Sequence, residues 1–255
     1  MSFSWDILLL VLGGGFLSGF IDSIAGGGGL IALPVLLALQ IPPHYAIGTN
    51  KFAATFGAAV SSYQFFKAGK VDMHLLYRLM PFTLGGAIIG CLFMLHLSAE
   101  TLQPLVILSL IAAAVFVFTR RGLGQHSSYT GMTQKTFWQG AAFALVIGLY
   151  DGFIGPGTGT FLIIAFAMLG FDFVVAAGNA KILNLVSNIT AFVLFIISGK
   201  VLYVYGLVMA LGIFLGAFFG SRMAIRHGSG FVRFVMMAVT TVLIGKLLLE
   251  YIGVI

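Results

Sequence analysis

Four charged residues lie inside otherwise apolar stretches of this chain, and they form two matched pairs: Asp22 with Asp151, and Lys51 with Lys181. An ionisable group in a lipid-facing sequence is costly, by about 2.5–3.5 kcal/mol for a mid-helix lysine on insertion scales, so such a group is usually functional unless it can snorkel to an interface. Two ammonium groups at membrane depth suit an anion. Two carboxylates suit helix capping, proton binding or, as a third possibility, an intramembrane aspartyl protease; the GxGD pattern expected of the last is missing.

The pairs belong to a wider internal repeat. Gly19, Asp22 and Gly26 recur 129 residues later as Gly148, Asp151 and Gly155; past one inserted residue, Gly48, Lys51, Gly69, Lys70, Gly86 and Gly90 recur at an offset of 130 as Gly178, Lys181, Gly199, Lys200, Gly216 and Gly220. The elements around them are helical and membrane-spanning by composition. The chain of 255 residues is 60% hydrophobic and 8% charged, far below the roughly 25% charged residues of a soluble domain. Apolar runs broken by Gly, Pro and charge give ten segments: 5–21, 29–39, 44–66, 74–95, 102–119, 137–150, 159–169, 173–197, 203–225 and 231–252. The segments 29–39 and 159–169 hold 11 residues each, against about 20 needed to span a bilayer. Both are predicted to be broken or re-entrant helices. Each follows a glycine cluster, Gly26–Gly29 or Gly155 to Gly159, that frees the backbone from helix geometry.

The fold class predicted is all-α, polytopic, with two inverted-topology repeats of about five segments: 1–119, a cytoplasmic connector 120–136, and 137–255. Inversion follows from the odd number of legs, and the charges agree with it. One side receives Lys67, Lys70, Arg78, Arg120, Arg121, Lys135, Arg222, Arg226 and Arg233, the other only Lys200 and Lys246. The basic side is the cytoplasmic one, which puts both termini on the non-cytoplasmic side of the inner membrane. The net charge of +6 is thereby a topological signal, and no basic run remains for nucleic acid. With no basic residue before the first apolar run, that run reads as a retained helix rather than a signal peptide. The lone Cys91 excludes an internal disulfide, and the five histidines show no ligand spacing, so no metal site and no cofactor are expected. No GxxxxGK[ST] loop is present, so an ATPase activity is not expected of this chain.

Short helices after glycine clusters present N–H groups without intrahelical partners at the positive end of the helix dipole. Two such ends, with a lysine from each repeat, would form an anion site near the midplane. The substrate-binding candidates are therefore Gly26, Gly27, Gly28, Gly29, Thr49, Asn50 and Lys51 in the first repeat. In the second they are Gly157, Thr158, Gly159, Asn179, Lys181, Asn184 and Asn188, of which the last three share one helix face. Asp22 and Asp151 are the proton-coupling candidates. The pairs Gly86/Gly90 and Gly216/Gly220 read as close-packing positions inside full-length helices.

The stretches GFIDSIAGGGGLIALP at 19–34, AIGTNK at 46–51, YDGFIGPGTGTF at 150–161, GNAKILNLVSN at 178–188 and the GK at 199–200 resemble the TauE/SafE family of sulfite and organosulfonate exporters, in particular its YfcA-like branch. The resemblance covers nearly the whole chain and both repeats. It implies an inner-membrane permease for small sulfur-containing or carboxylate anions such as sulfite, sulfoacetate or thiosulfate, with the family's glycine-rich motifs on Gly26–Gly29 and Gly155 to Gly159 and its TNK and AK elements on Thr49, Asn50, Lys51, Ala180 and Lys181. The expected function is a secondary anion exporter working by alternating access, the partners a small anion and the lipid bilayer; the oligomeric state is open, a homodimer included. A cation or proton channel using Asp22 and Asp151 is the alternative.

Overall fold

A computed structural model describes residues 5–119 and 127–251. The first seven residues of the expected connector and the four residues at each terminus lie outside this range.

The described residues form nine helices and no strand: α1 (Trp5–Ala25), α2 (Gly29–Ala38), α3 (Pro43–Lys67), α4 (Met73–His96), α5 (Ala99–Thr119), α6 (Gln134–Phe153), α7 (Thr158–Met168), α8 (Phe173–Ile197) and α9 (Tyr203–Tyr251). The ten expected segments are all present. The last two run together in α9, broken at Gly228, whose φ of 79° and ψ of −170° are non-helical. Four helices, 5–25, 73–96, 173–197 and 203–238, are long and apolar enough to cross a membrane, and α2 and α7 are the short apolar pieces between longer neighbours. Local chemistry sets the boundaries. Asp72 accepts from Leu75 N at the start of α4, Thr133 from Thr136 N at α6, and Asp172 from Val174 N and Val175 N at α8; Pro43 opens α3 at a position that needs no N–H.

The outward faces carry Leu9, Leu17, Phe93, Val146, Ile197 and Leu211, all exposed. In water such a surface would aggregate; in hydrocarbon it is the matched face. Inward, the halves of the chain interlock. α1 packs on α9, α4 on α6, and the lysine helices α3 and α8 on each other. The α1–α9 contact is close because a Cβ on Gly216 or Gly220 would run into the backbone of Phe16 or Phe20, and the α4–α6 contact because one on Gly86 or Gly90 would meet that of Leu145 or Leu149. The glycine pairs read as packing positions therefore serve packing.

A second interlock fixes the lysine helices. α3 and α8 end in the same turn, with Lys70 N donating to Phe65 O at 2.9 Å and Lys200 N to Phe195 O at 3.0 Å. Each turn seats on the start of the other lysine helix: Lys70 O against Gly178, Lys200 O against Gly48, neither with room for a Cβ between. On the side of Lys70, the end of the connector docks as well, Ser128 N and Tyr129 N donating to Gly170 O at 2.8 and 2.9 Å.

Candidate functional site

The break between α1 and α2 and the break between α6 and α7 cross each other. A Cβ on Gly159 would lie 2.8 Å from Gly26 Cα, and one on Gly29 would lie 3.1 Å from Pro156 Cα, so the first turn of each short helix rests on the other's break. Gly26, at φ 73°, makes this approach possible, since any side chain there would collide with the Gly159–Thr160 peptide. Thr160 Oγ1 donates to Ala25 O across the contact at 3.0 Å. Two helix N-termini, with their partial positive charge, thus converge on one place.

Both lysines point into it, each to the aspartate of the opposite half. Lys51 Nζ lies 2.6 Å from Asp151 Oδ1 and Lys181 Nζ lies 2.5 Å from Asp22 Oδ2. The four charges sum to zero. The two ammonium groups expected to supply positive potential are each matched by a carboxylate, because an isolated buried charge would cost more than a hydrogen-bonded pair. Neither lysine snorkels to an interface.

The pairs differ in setting. Asp151 is enclosed, and besides Lys51 it accepts from Asn184 Nδ2 at 3.2 Å and from Ser187 Oγ. Gly155, at φ 93°, lies so close over this pair that a Cβ would fall 2.6 Å from both Asp151 Oδ1 and Lys51 Nζ. Asp22 accepts from Gly28 N at 3.0 Å through Oδ1, so it caps the start of α2 while it holds Lys181. Its side chain keeps 25% of its surface, against 2% for Asp151.

Between these elements lies a small open-sided cavity. Of the residues singled out from sequence, Asp22, Gly27, Gly28, Gly29, Asn50, Lys51, Asp151, Gly157, Thr158, Gly159, Asn184 and Asn188 line it. Gly26 lies behind the wall, in the crossing of the breaks, and Lys181 is fully buried beneath Asp22. Thr49 and Asn179 are elsewhere: Thr49 Oγ1 accepts from Leu202 N at 3.0 Å and Asn179 Oδ1 from Asp72 N at 2.8 Å. They clamp the turns described above, one on each lysine helix, where an unpaired turn amide would otherwise be buried. Asn50 and Asn188 are 7% and 3% exposed, line the cavity, and form no side-chain hydrogen bond among the described residues. Their carboxamides are available to a ligand.

Sequence reasoning missed Ser18, Ser187, Ala54, Gly155 as a lining residue, and Ile213. Ser18 lies one helical turn before Asp22, and its Oγ donates to Gly28 O at 2.8 Å; Ser187 lies three residues after Asn184 on the same face. Helical spacing from a residue already chosen was the available signal. Ile213 carries none.

The family model described as Sulfite exporter TauE/SafE matches residues 11–247. The chain belongs to the TauE/SafE family. It is 34% identical over 248 residues to a Sinorhizobium protein named probable membrane transporter protein ORF9, covering 97% of this chain and 94% of that one. It is 36% identical over 239 residues to the Escherichia coli K12 protein named probable membrane transporter protein YfcA, covering 92% and 87%. A Haemophilus influenzae relative named probable membrane transporter protein is 31% identical over 251 residues, covering 98% of both chains. The chain is thus a membrane transporter of this family.

Proposed function

We propose that this TauE/SafE-family chain is a secondary transporter, an exporter, of small sulfur-containing or organic anions such as sulfite or sulfoacetate. The observation that carries the reading is the convergence of two short-helix N-termini on one cavity that also holds Lys51 and the uncommitted carboxamides of Asn50 and Asn188. N–H groups at a helix start, an ammonium and amide donors are the groups that replace water around an oxyanion. The break-to-break crossing and crosswise ion pairs support alternating access by rocking of one inverted half against the other, with the site at the pivot. Both carboxylates are already engaged by lysines, which weighs against a cation channel that uses them as free ligands. The reading extends to an inner-membrane location with both termini outside the cytoplasm.

The test is a panel of labelled sulfite, sulfoacetate, sulfate and simple carboxylates in liposomes carrying the purified protein, with and without a pH gradient. Flux is expected for a subset of the anions, and a reduced flux at low anion concentration in Asn188→Leu. A response that does not distinguish any anion from protein-free liposomes refutes the reading.

A further inference from the structure

The two ion pairs are equivalent in sequence and unequal in setting, and that inequality assigns them different work. Asp151 is satisfied by three side chains, Lys51, Asn184 and Ser187, and closed in by Gly155. Asp22 has one side-chain donor, Lys181, and one amide, Gly28 N, and a quarter of its side-chain surface is open to the cavity. A proton can reach it from the cavity. The charged groups facing Asp22 are Lys181 in contact, from α8, and Lys51 and Asp151 on the same cavity wall, from α3 and α6; α2 and α7 contain no titratable side chain, and α9 presents Ile213 to the cavity.

Resting on the anion-transport reading, we propose that Asp22 is the proton carrier, taking up one proton with each bound anion, while Asp151 stays ionised as the fixed partner of Lys51. The charge arithmetic is simple. With both pairs intact the site is neutral. A proton on Asp22 removes its negative charge and leaves the Lys181 ammonium unmatched, and a monoanion then restores neutrality. The protein thus moves a monoanion and a proton together without net charge, whereas a dianion crosses with one negative charge left over. Cavity, proton acceptor and buried ammonium are stacked in that order, so neither ligand binds well without the other.

The test uses two probes in liposomes with an internal pH dye: methanesulfonate, a monoanion of a strong acid that brings no proton of its own, and sulfoacetate, a dianion near neutral pH. In the wild type, each anion entering carries about one proton; methanesulfonate uptake ignores an imposed voltage and sulfoacetate uptake follows it. Asp22→Asn is expected to retain labelled-for-unlabelled exchange and to lose proton movement at least tenfold. Ser187→Ala, which loosens Asp151, is expected to keep the ratio of one whatever its rate. Proton movement surviving in Asp22→Asn overturns the proposal, as does a lost ratio in Ser187→Ala. If Asp22→Asn does not exchange, proton uptake on methanesulfonate binding in weakly buffered detergent decides: about one proton in the wild type and none in the variant supports the proposal, and absence of binding in the variant refutes it. Absence of flux for methanesulfonate, sulfoacetate and sulfite alike in the wild type refutes the transport reading instead.

Discussion

Replacing Lys51 by Met leaves the Asp151 carboxylate enclosed, 2% exposed, with only Asn184 and Ser187 to hold it. Breaking a buried ion pair from one side costs about 3–5 kcal/mol, since the surviving charge keeps its desolvation penalty. The two remaining donors place Lys51→Met near about 3 kcal/mol on that scale. Asp151→Asn leaves the Lys51 ammonium with only a neutral carboxamide oxygen to receive it and belongs near about 5 kcal/mol. The double variant removes both charges and should return to within about 1 kcal/mol of the wild type, as uncharged replacements of buried pairs commonly do. The single cysteine supplies the assay: Cys91 is fully buried in α4, so a thiol-reactive fluorophore added to detergent-solubilised protein labels it only when the fold opens. At about 1.4 kcal/mol per decade, labelling should accelerate roughly 100-fold in Lys51→Met, more in Asp151→Asn, and less than about tenfold in the double variant. Single variants within threefold of wild type would mean that the pair is not enclosed as described. A double variant as open as the two singles combined would mean that the residues do not act on each other.

Three further outcomes follow from the same geometry. Asn50→Leu and Asn188→Leu should each raise the anion KM by roughly 10- to 100-fold, the equivalent of one hydrogen bond to a charged group, without changing Cys91 labelling; a change in labelling with KM unaltered would assign both residues to packing. Gly159→Ala should push the α7 start off Gly26 and abolish transport, while Gly13→Ala, in α1 with nothing within 4 Å of a Cβ, should leave flux measurable; equal flux in the two variants would refute the crossing of the breaks. Tyr129, in the connector, stacks on Phe171 at 4.0 Å, and burial first, then the Asp72 carboxylate and the hydrogen bond to it, raise its hydroxyl pKa. The folded state therefore holds this proton more tightly than the unfolded one, and the contribution is complete below the ordinary tyrosine value of about 10 and lost as pH rises through the raised folded value. Protease nicking of the connector should increase over that alkaline window in the wild type, and Tyr129→Phe should flatten the dependence.

Much of this was written in the chain. Glycine clusters before apolar runs too short to span located α2 and α7 to within a residue or two, because backbone freedom and element length are local properties. The offset of 129 to 130 residues identified Asp22, Asp151, Lys51 and Lys181 as one set, and helical spacing placed Asn184 and Asn188 on the face of Lys181. Those features need no knowledge of what lies opposite.

What lies opposite was decided by packing alone. Nothing in the repeat says that Lys51 pairs with Asp151, 100 residues away, rather than with Asp22, 29 residues away, and the TNK-type element hides three fates in adjacent positions: Thr49 clamps a turn of the other half, Asn50 faces the cavity, and Lys51 reaches across it. Asn179 resembles a ligand residue by type and is a clamp by position. A residue type fixes which bonds a side chain can make; which bond it does make depends on the donor or acceptor that another helix brings within 3 Å or so. For Thr49, Lys51, Asn179 and Lys181 that partner comes from the other half of the chain, so the site exists only once the two halves are interlocked.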